Sequence, residues 1–171
     1  MTINRISTKT YLNPFSDQTF YVLEIDGRSL EDIILENQPE ITRGIVPTLL
    51  NWLSDEKERA VVWQRVFPQK GAVERLPILM CSEDIDLWCT LIMVEVEMDE
   101  QYVYWNRFGL EDSDARTPEE IGKSVRWFSG IPKMCFNRKE FEEVVNKFRI
   151  RLDDVTAYAP DQSEIVVEYL Q

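Results

Sequence analysis

The chain has no histidine. That absence removes the usual general base of neutral-pH catalysis, the Ser-His and Cys-His nucleophile pairs, and every zinc site built on imidazole. Carboxylates alone can still run a hydrolysis, as in glycosidases, or hold magnesium or calcium. Cysteine is scarce too. Cys81, Cys89 and Cys135 are odd in number and have no CxxC spacing, which is not a disulfide framework and points to a reducing compartment. Cys81 and Cys135 stand among apolar neighbours and read as small buried hydrophobes. No apolar run reaches the length of a membrane span, and Met1-Thr2-Ile3-Asn4-Arg5 does not begin a signal peptide. A cytoplasmic location with no membrane partner is the expectation.

Bases are the next shortage, and it is local. The 171 residues carry 31 Asp and Glu against 19 Lys and Arg, a net charge of −12. Ten of those excess charges fall between Cys81 and Glu120, where twelve carboxylates face only Arg107 and Arg116. The acids are Glu83, Asp84, Asp86, Glu95, Glu97, Asp99, Glu100, Glu111, Asp112, Asp114, Glu119 and Glu120; the rest of the chain is close to neutral. Clustered like charges repel and cost stability, so a basic partner is one reason to keep them. Direct nucleic-acid binding is disfavoured, because phosphate needs Lys or Arg patches.

What is present is ample material for a core: 44 % of residues are hydrophobic and 11 % aromatic. Global disorder is therefore not expected, and the length suits one globular domain over residues 1–171. Thr19 to Ile25 reads as a strand ending in an Asp26-Gly27 turn, followed by a helical segment from about Ser29 to Glu36. Ile45 to Leu53 is apolar and reads as helical after Pro47. Ser54 is placed to cap a helix running to about Phe67, with Ala60, Val61, Trp63 and Val66 or Phe67 inward. Leu76 to Cys81 and Leu87 to Met98 read as strands, and Asp99-Glu100 turns the chain into a third, Gln101 to Phe108. Alternation along the second puts Glu95 and Glu97 opposite the aliphatic row. Thr117-Pro118-Glu119-Glu120 is a helix-start signal. Ser124–Phe128 and Lys133–Phe136 are short strand candidates. Asn137 begins a helix in which Phe141, Val144, Val145 and Phe148 share a face. A turn at Asp161-Gln162-Ser163 and a strand over Glu164–Leu170 complete the chain. The expected fold class is α+β, a mainly antiparallel sheet with helices packed on one face.

Three constellations could carry function. Ser82-Glu83-Asp84-Ile85-Asp86 joins two apolar strands; Asp84-x-Asp86 resembles the start of a calcium loop but lacks its Gly and distal Glu, so neither a metal nor a cofactor is assigned. Glu111-Asp112-x-Asp114 follows the hairpin. If the hairpin is antiparallel, these two loops lie at one end of the sheet, with Asp99 and Glu100 at the other. Tyr102, Tyr104 and Trp105 alternate on the returning strand, where one face must be core and the other could supply interface anchors. Arg107 reads as a tie within the acidic cluster.

The stretch Leu76 to Leu110 (LPILMCSEDIDLWCTLIMVEVEMDEQYVYWNRFGL), with Pro47 to Glu56 before it, resembles bacterial immunity proteins of contact-dependent inhibition and related toxin systems. The resemblance implies a non-enzymatic antitoxin that binds a cognate basic toxin domain, such as a nuclease, and covers its active or substrate-binding surface. On that reading Glu83, Asp84, Asp86, Glu111, Asp112 and Asp114 are the partner contacts, with Tyr102, Tyr104 and Trp105 next. Two other readings stay open: a carboxylate-based hydrolase or Mg/Ca-dependent enzyme, and a structural or adaptor domain whose acids are a solvated face.

Overall fold

The computed structural model of the chain describes residues 1–12, 19–153 and 168–169. The fold is α+β and its strands pair almost entirely antiparallel, but they form two sheets instead of one. The smaller sheet starts with β1 (Ile6–Leu12) and β2 (Thr19–Ile25), paired along their whole length from Ile6↔Ile25 to Leu12↔Thr19. Asp26 and Gly27 both take positive φ, 52° and 82°, the conformation a two-residue hairpin turn needs. The turn leads to β3 (Arg28–Ser29) and then to helix α1 (Leu30–Asn37), whose first turn is capped by Ser29 Oγ accepting from the Asp32 amide. β10 (Glu168–Tyr169) lies parallel to β1; the rest of the Glu164–Leu170 strand and the Asp161–Ser163 turn fall outside the described residues.

The larger sheet runs β4 (Ile45–Pro47), β5 (Val73–Cys81), β6 (Leu91–Met98), β7 (Tyr102–Glu111), β8 (Val125–Trp127), with β9 (Met134–Asn137) also on β7. β7 is long enough to serve two partners: Tyr102–Trp105 pairs with β9 and Gly109–Glu111 with β8. The β8 side requires glycine. A Cβ at Gly109 would stand 2.5 Å from Val125 Cγ1 and 2.8 Å from the Arg126 carbonyl oxygen. Pro77 can sit inside β5 because the ladder to β6 shifts register between Pro77 and Leu79, the sort of site where a missing N–H is tolerated.

Sequence periodicity located α3 well. Arg138–Asp153 is helical, Asn137 Oδ1 accepts from the Glu140 amide, and Phe141, Val144, Val145 and Phe148 are all buried. It failed after Pro47. Residues 48–52 are turns, because the Thr48 amide and hydroxyl donate to the Ile78 and Pro77 carbonyls of β5 instead of starting a helix. Helix α2 spans Glu56–Arg65 and is capped by Asp55, not Ser54. Its buried residues are Glu58, Val61 and Val62, whereas Ala60 is exposed. Glu58 is buried because its carboxylate accepts from the Leu87 amide at 2.8 Å. Thr117 starts only a 3-10 turn, Pro118–Glu120, and its side chain makes no cap bond.

The buried apolar side chains of both sheets belong to one cluster. At its centre Trp105 meets Phe136 at 4.9 Å and both Phe108 and Phe141 at 5.8 Å between ring centroids, all near perpendicular. Phe141 in turn meets Phe67, just beyond α2, at 6.0 Å. The sheets are also joined through Asn4, which exchanges two hydrogen bonds with the Cys135 backbone while its Nδ2 donates to Asp26. Trp105→Ala should cost about 3–5 kcal/mol, as for other buried aromatics cut to alanine, whereas Trp88→Ala at an exposed position should stay within about 0.5 kcal/mol. Urea unfolding followed by far-UV circular dichroism checks both; equal losses would remove Trp105 from the centre of the core.

Candidate functional site

The hairpin places the two acidic loops as the sequence suggested, at the end where β6 begins and β7 stops, since Ile92 pairs with Leu110. The loop between β5 and β6 is tied at several points. Ser82 N–H donates to the Gly44 carbonyl, Ile85 N–H to the Cys81 carbonyl, and Trp88 N–H to Asp86 Oδ1. Leu87 is buried, with its amide on Glu58. Burial pushes the Glu58 carboxyl above its ordinary value, partly opposed by that amide. Ile85 takes a left-handed φ of 52°, strained for a β-branched residue. Pinned in this way, the loop turns Glu83, Asp84, Ile85, Trp88 and Cys89 out to solvent, and Trp88 is 48 % exposed.

The loop after β7 is different. Glu111 is structural: its Oε2 accepts from the Gly122 amide at 2.6 Å and its Oε1 from the Ser113 amide. Two guanidinium groups hold the returning segment from the other side. Arg65 donates to the carbonyls of Ile121 and Glu119, and Arg75 to those of Gly122 and Lys123. Asp112 and Asp114 remain exposed. The two loops therefore engage opposite ends of α2, through Glu58 and through Arg65, a separation of roughly 10 Å at about 1.5 Å per helical residue.

The aromatic candidates divide sharply. Trp105 is 1 % exposed and cannot touch a partner; its expected role as a contact is corrected by its place in the core. Tyr102 and Tyr104 are half-buried, with ring centroids 6.3 Å apart. They stand near the hairpin tip, and the strand from Tyr104 to Glu111 spans roughly 20 Å at about 3.3 Å per residue, so they do not share a patch with the acidic loops. Tyr104 is already occupied. Its hydroxyl donates to Asp99 Oδ2 at 2.9 Å, and Lys133 lies over its ring at 4.8 Å. Beside Tyr102 a groove of about 550 Å³ opens against the start of α3, but Glu100, Arg138, Lys139 and Glu142 line it with both signs of charge.

Part of the acidic window is engaged internally, by ion pairs or by neutral hydrogen-bond donors. Arg107 donates twice to Glu95 and stacks on Trp127 at 4.0 Å, Asn106 donates to Glu97, Lys70 pairs with Glu100, and Glu120 accepts from the Arg116 amide. Among the described residues, Glu83, Asp84, Asp86, Asp112 and Asp114 have no Lys or Arg partner. The reading of Cys81 as a buried hydrophobe is also corrected: Cys81 is half-buried, Cys89 is exposed, and only Cys135 is enclosed. The sulfurs of Cys81 and Cys89 and a carboxylate oxygen of Asp84 all lie within 4.8 Å of one another. Asp84 pushes the Cys89 thiol up, against the lowering influence of the Thr90 amide.

Trp88 and Ile85 are the residues that sequence reasoning missed. The available signal was a tryptophan two residues after Asp86, within a carboxylate-rich connection; assigning Leu87–Met98 to one strand hid it. No helix among the described residues is long and apolar enough to cross a membrane. No protein-family model matches the chain, and neither a curated protein nor a solved structure is detectably similar to it.

The hairpin tip gives a pH prediction. Hydrogen bonding to Asp99 pushes the Tyr104 phenol from its ordinary 10.0 to about 12. The Gln101 amide first, then the amide of Tyr102 and the hydroxyl of Tyr104, hold Asp99 below 3.8. The raised phenol stabilises the fold fully below pH 10.0 and loses its contribution as pH climbs to about 12. The depressed carboxyl contributes above pH 3.8 and loses its share as pH falls through its own lower value. Ultraviolet titration should show one tyrosine ionising late, and Asp99→Asn should return it towards 10.0. Co-titration of all tyrosines in the unaltered protein would mean that this hydrogen bond does not hold in solution.

Proposed function

We propose that this chain is an acidic protein-binding inhibitor of the immunity-protein kind, which captures a cognate basic toxin domain, such as a nuclease, and covers its active or substrate-binding surface. The observation that carries the reading is Trp88, 48 % exposed on a loop pinned to the core at Leu87. Ile85 is exposed beside it, and Glu83 and Asp84 on the same loop have no basic partner among the described residues. An apolar anchor on a rigid support loses little conformational entropy on docking, and tryptophan is among the residue types that dominate interface energetics. Carboxylates around it suit a partner surface rich in Arg and Lys: they steer encounter over long range and offer bidentate acceptors on contact. Asp112 and Asp114, on the separate loop after β7, would widen the field more than the contact.

Anchor and field make separable predictions for binding to a basic toxin domain, sought first as the C-terminal domain of any secreted protein encoded beside this chain. Trp88→Ala should leave folding intact and speed dissociation by about 30-fold or more, the size of a loss of 2 kcal/mol at a hot spot. Asp84→Lys with Asp112→Lys should slow association at low salt, several-fold or more, with dissociation changing less. Stopped-flow binding over a range of ionic strength reads both. Association indifferent to salt, together with a silent Trp88→Ala, would overturn the proposal.

A further inference from the structure

We propose that Cys81, Asp84 and Cys89 form a site for a thiophilic divalent cation of the zinc type, with water completing its coordination. The loop brings the three ligands together by backbone geometry. Cys81 ends β5 and its amide donates to the Thr90 carbonyl at 3.1 Å, which sets Cys89 diagonally across the mouth of the β5–β6 connection. The Ile85 amide then returns to the Cys81 carbonyl, and the left-handed turn at Ile85 keeps Asp84 near both sulfurs. All three donor atoms lie within 4.8 Å of one another. Around a tetrahedral zinc, with bonds of about 2.3 Å to sulfur and about 2.0–2.2 Å to oxygen, neighbouring donors sit roughly 3.5–3.8 Å apart. Closing the remaining gap takes side-chain rotation at two exposed residues.

The donor set chooses the class of ion. Two thiolates and one carboxylate suit a borderline-soft cation, and they disfavour magnesium and calcium, which want oxygen throughout. This also explains the acidic run differently from a calcium loop: Asp86, the second acid of Asp84-x-Asp86, is engaged by the Trp88 amide and is not a ligand. Glu83, Asp86 and the nearby Asp55 and Glu58 give the surroundings a negative field that concentrates cations. Three protein ligands leave a position open, the arrangement of zinc sites that bind water or an incoming group. An ion here would cross-link the end of β5 to the start of β6 and stiffen the segment that bears Trp88. It would withdraw Asp84 from partner contact while leaving Glu83, Ile85 and Trp88 exposed. The site stands on its own chemistry whether or not that loop docks a protein.

The full chain, kept reduced with a phosphine, is titrated with Co²⁺ and then with Zn²⁺. One Co²⁺ per chain should appear with sulfur-to-cobalt charge-transfer absorption in the near ultraviolet, and Zn²⁺ should abolish the band while excess Ca²⁺ does not. Cys89→Ser should cut the band to about half or less, and it and Asp84→Asn should each weaken binding by at least about 10-fold, the lower bound for disturbing a metal shell. Both positions are exposed, so the fold should survive, which far-UV circular dichroism verifies. Cys135→Ser, at the enclosed third cysteine, should change nothing. No charge-transfer band in the reduced protein, a band that survives Cys89→Ser undiminished, a band lost in Cys135→Ser, or displacement by Ca²⁺ would each overturn the site.

Discussion

The orientation of Trp105 fixes most of what is distinctive in this molecule. Its indole is wedged among Phe108, Phe136 and Phe141, drawn from β7, β9 and α3. Its Nε1 has no hydrogen-bond partner among the described residues, a cost of about 1–3 kcal/mol for a buried donor that the surrounding aromatic burial must exceed. With Trp105 paired to Val96 and facing inward, strand alternation sends Glu97 and Tyr104 to the opposite face. A slip of one residue would exchange the faces of the whole strand. The register shift between Val94 and Val96 brings Arg107 within reach of Glu95 while Phe108 stays inside. The register of one strand thus decides which acids are paired and which loops lie at each end.

The charge of the central window resolves into unlike parts. Glu95 and Glu97 form a polar ladder across the sheet, and Glu111 and Asp99 replace missing backbone partners in turns. Glu100 with Lys70 is an exposed pair, a type worth little to stability. On the β5–β6 loop carboxylates, exposed apolar side chains and two thiols coincide within a few residues. Net charge overstated the size of the patch and concealed its chemistry. The proposed docking and the proposed ion site would share Asp84 but otherwise use different side chains of this loop, Trp88 and Ile85 for the first, Cys81 and Cys89 for the second.

Local patterns were readable wherever one face of an element alone decides its fate. Phe141, Val144, Val145 and Phe148 recur at helical spacing, and TFYVLEI followed by Asp-Gly makes a strand and turn with no help from distant residues. The antiparallel hairpin followed from two apolar runs joined by a short link. The readings that failed depended on distant partners. Residues after Pro47 look helical until the carbonyls of β5 claim Thr48. Glu58 looks solvated until the Leu87 amide claims it.

By itself the sequence determined an α+β composition, an excess of acid in its middle third and the absence of imidazole chemistry, because composition, charge and short-range periodicity are properties of the chain. Tertiary structure alone decided that Trp105 is core while Trp88 is exposed, since a tryptophan's side of a strand or loop depends on register set by distant partners. It also decided that Cys81 and Cys89 come together. Their separation along the chain is silent about distance; the hydrogen bond between Cys81 and Thr90 that closes the loop is what brings them close.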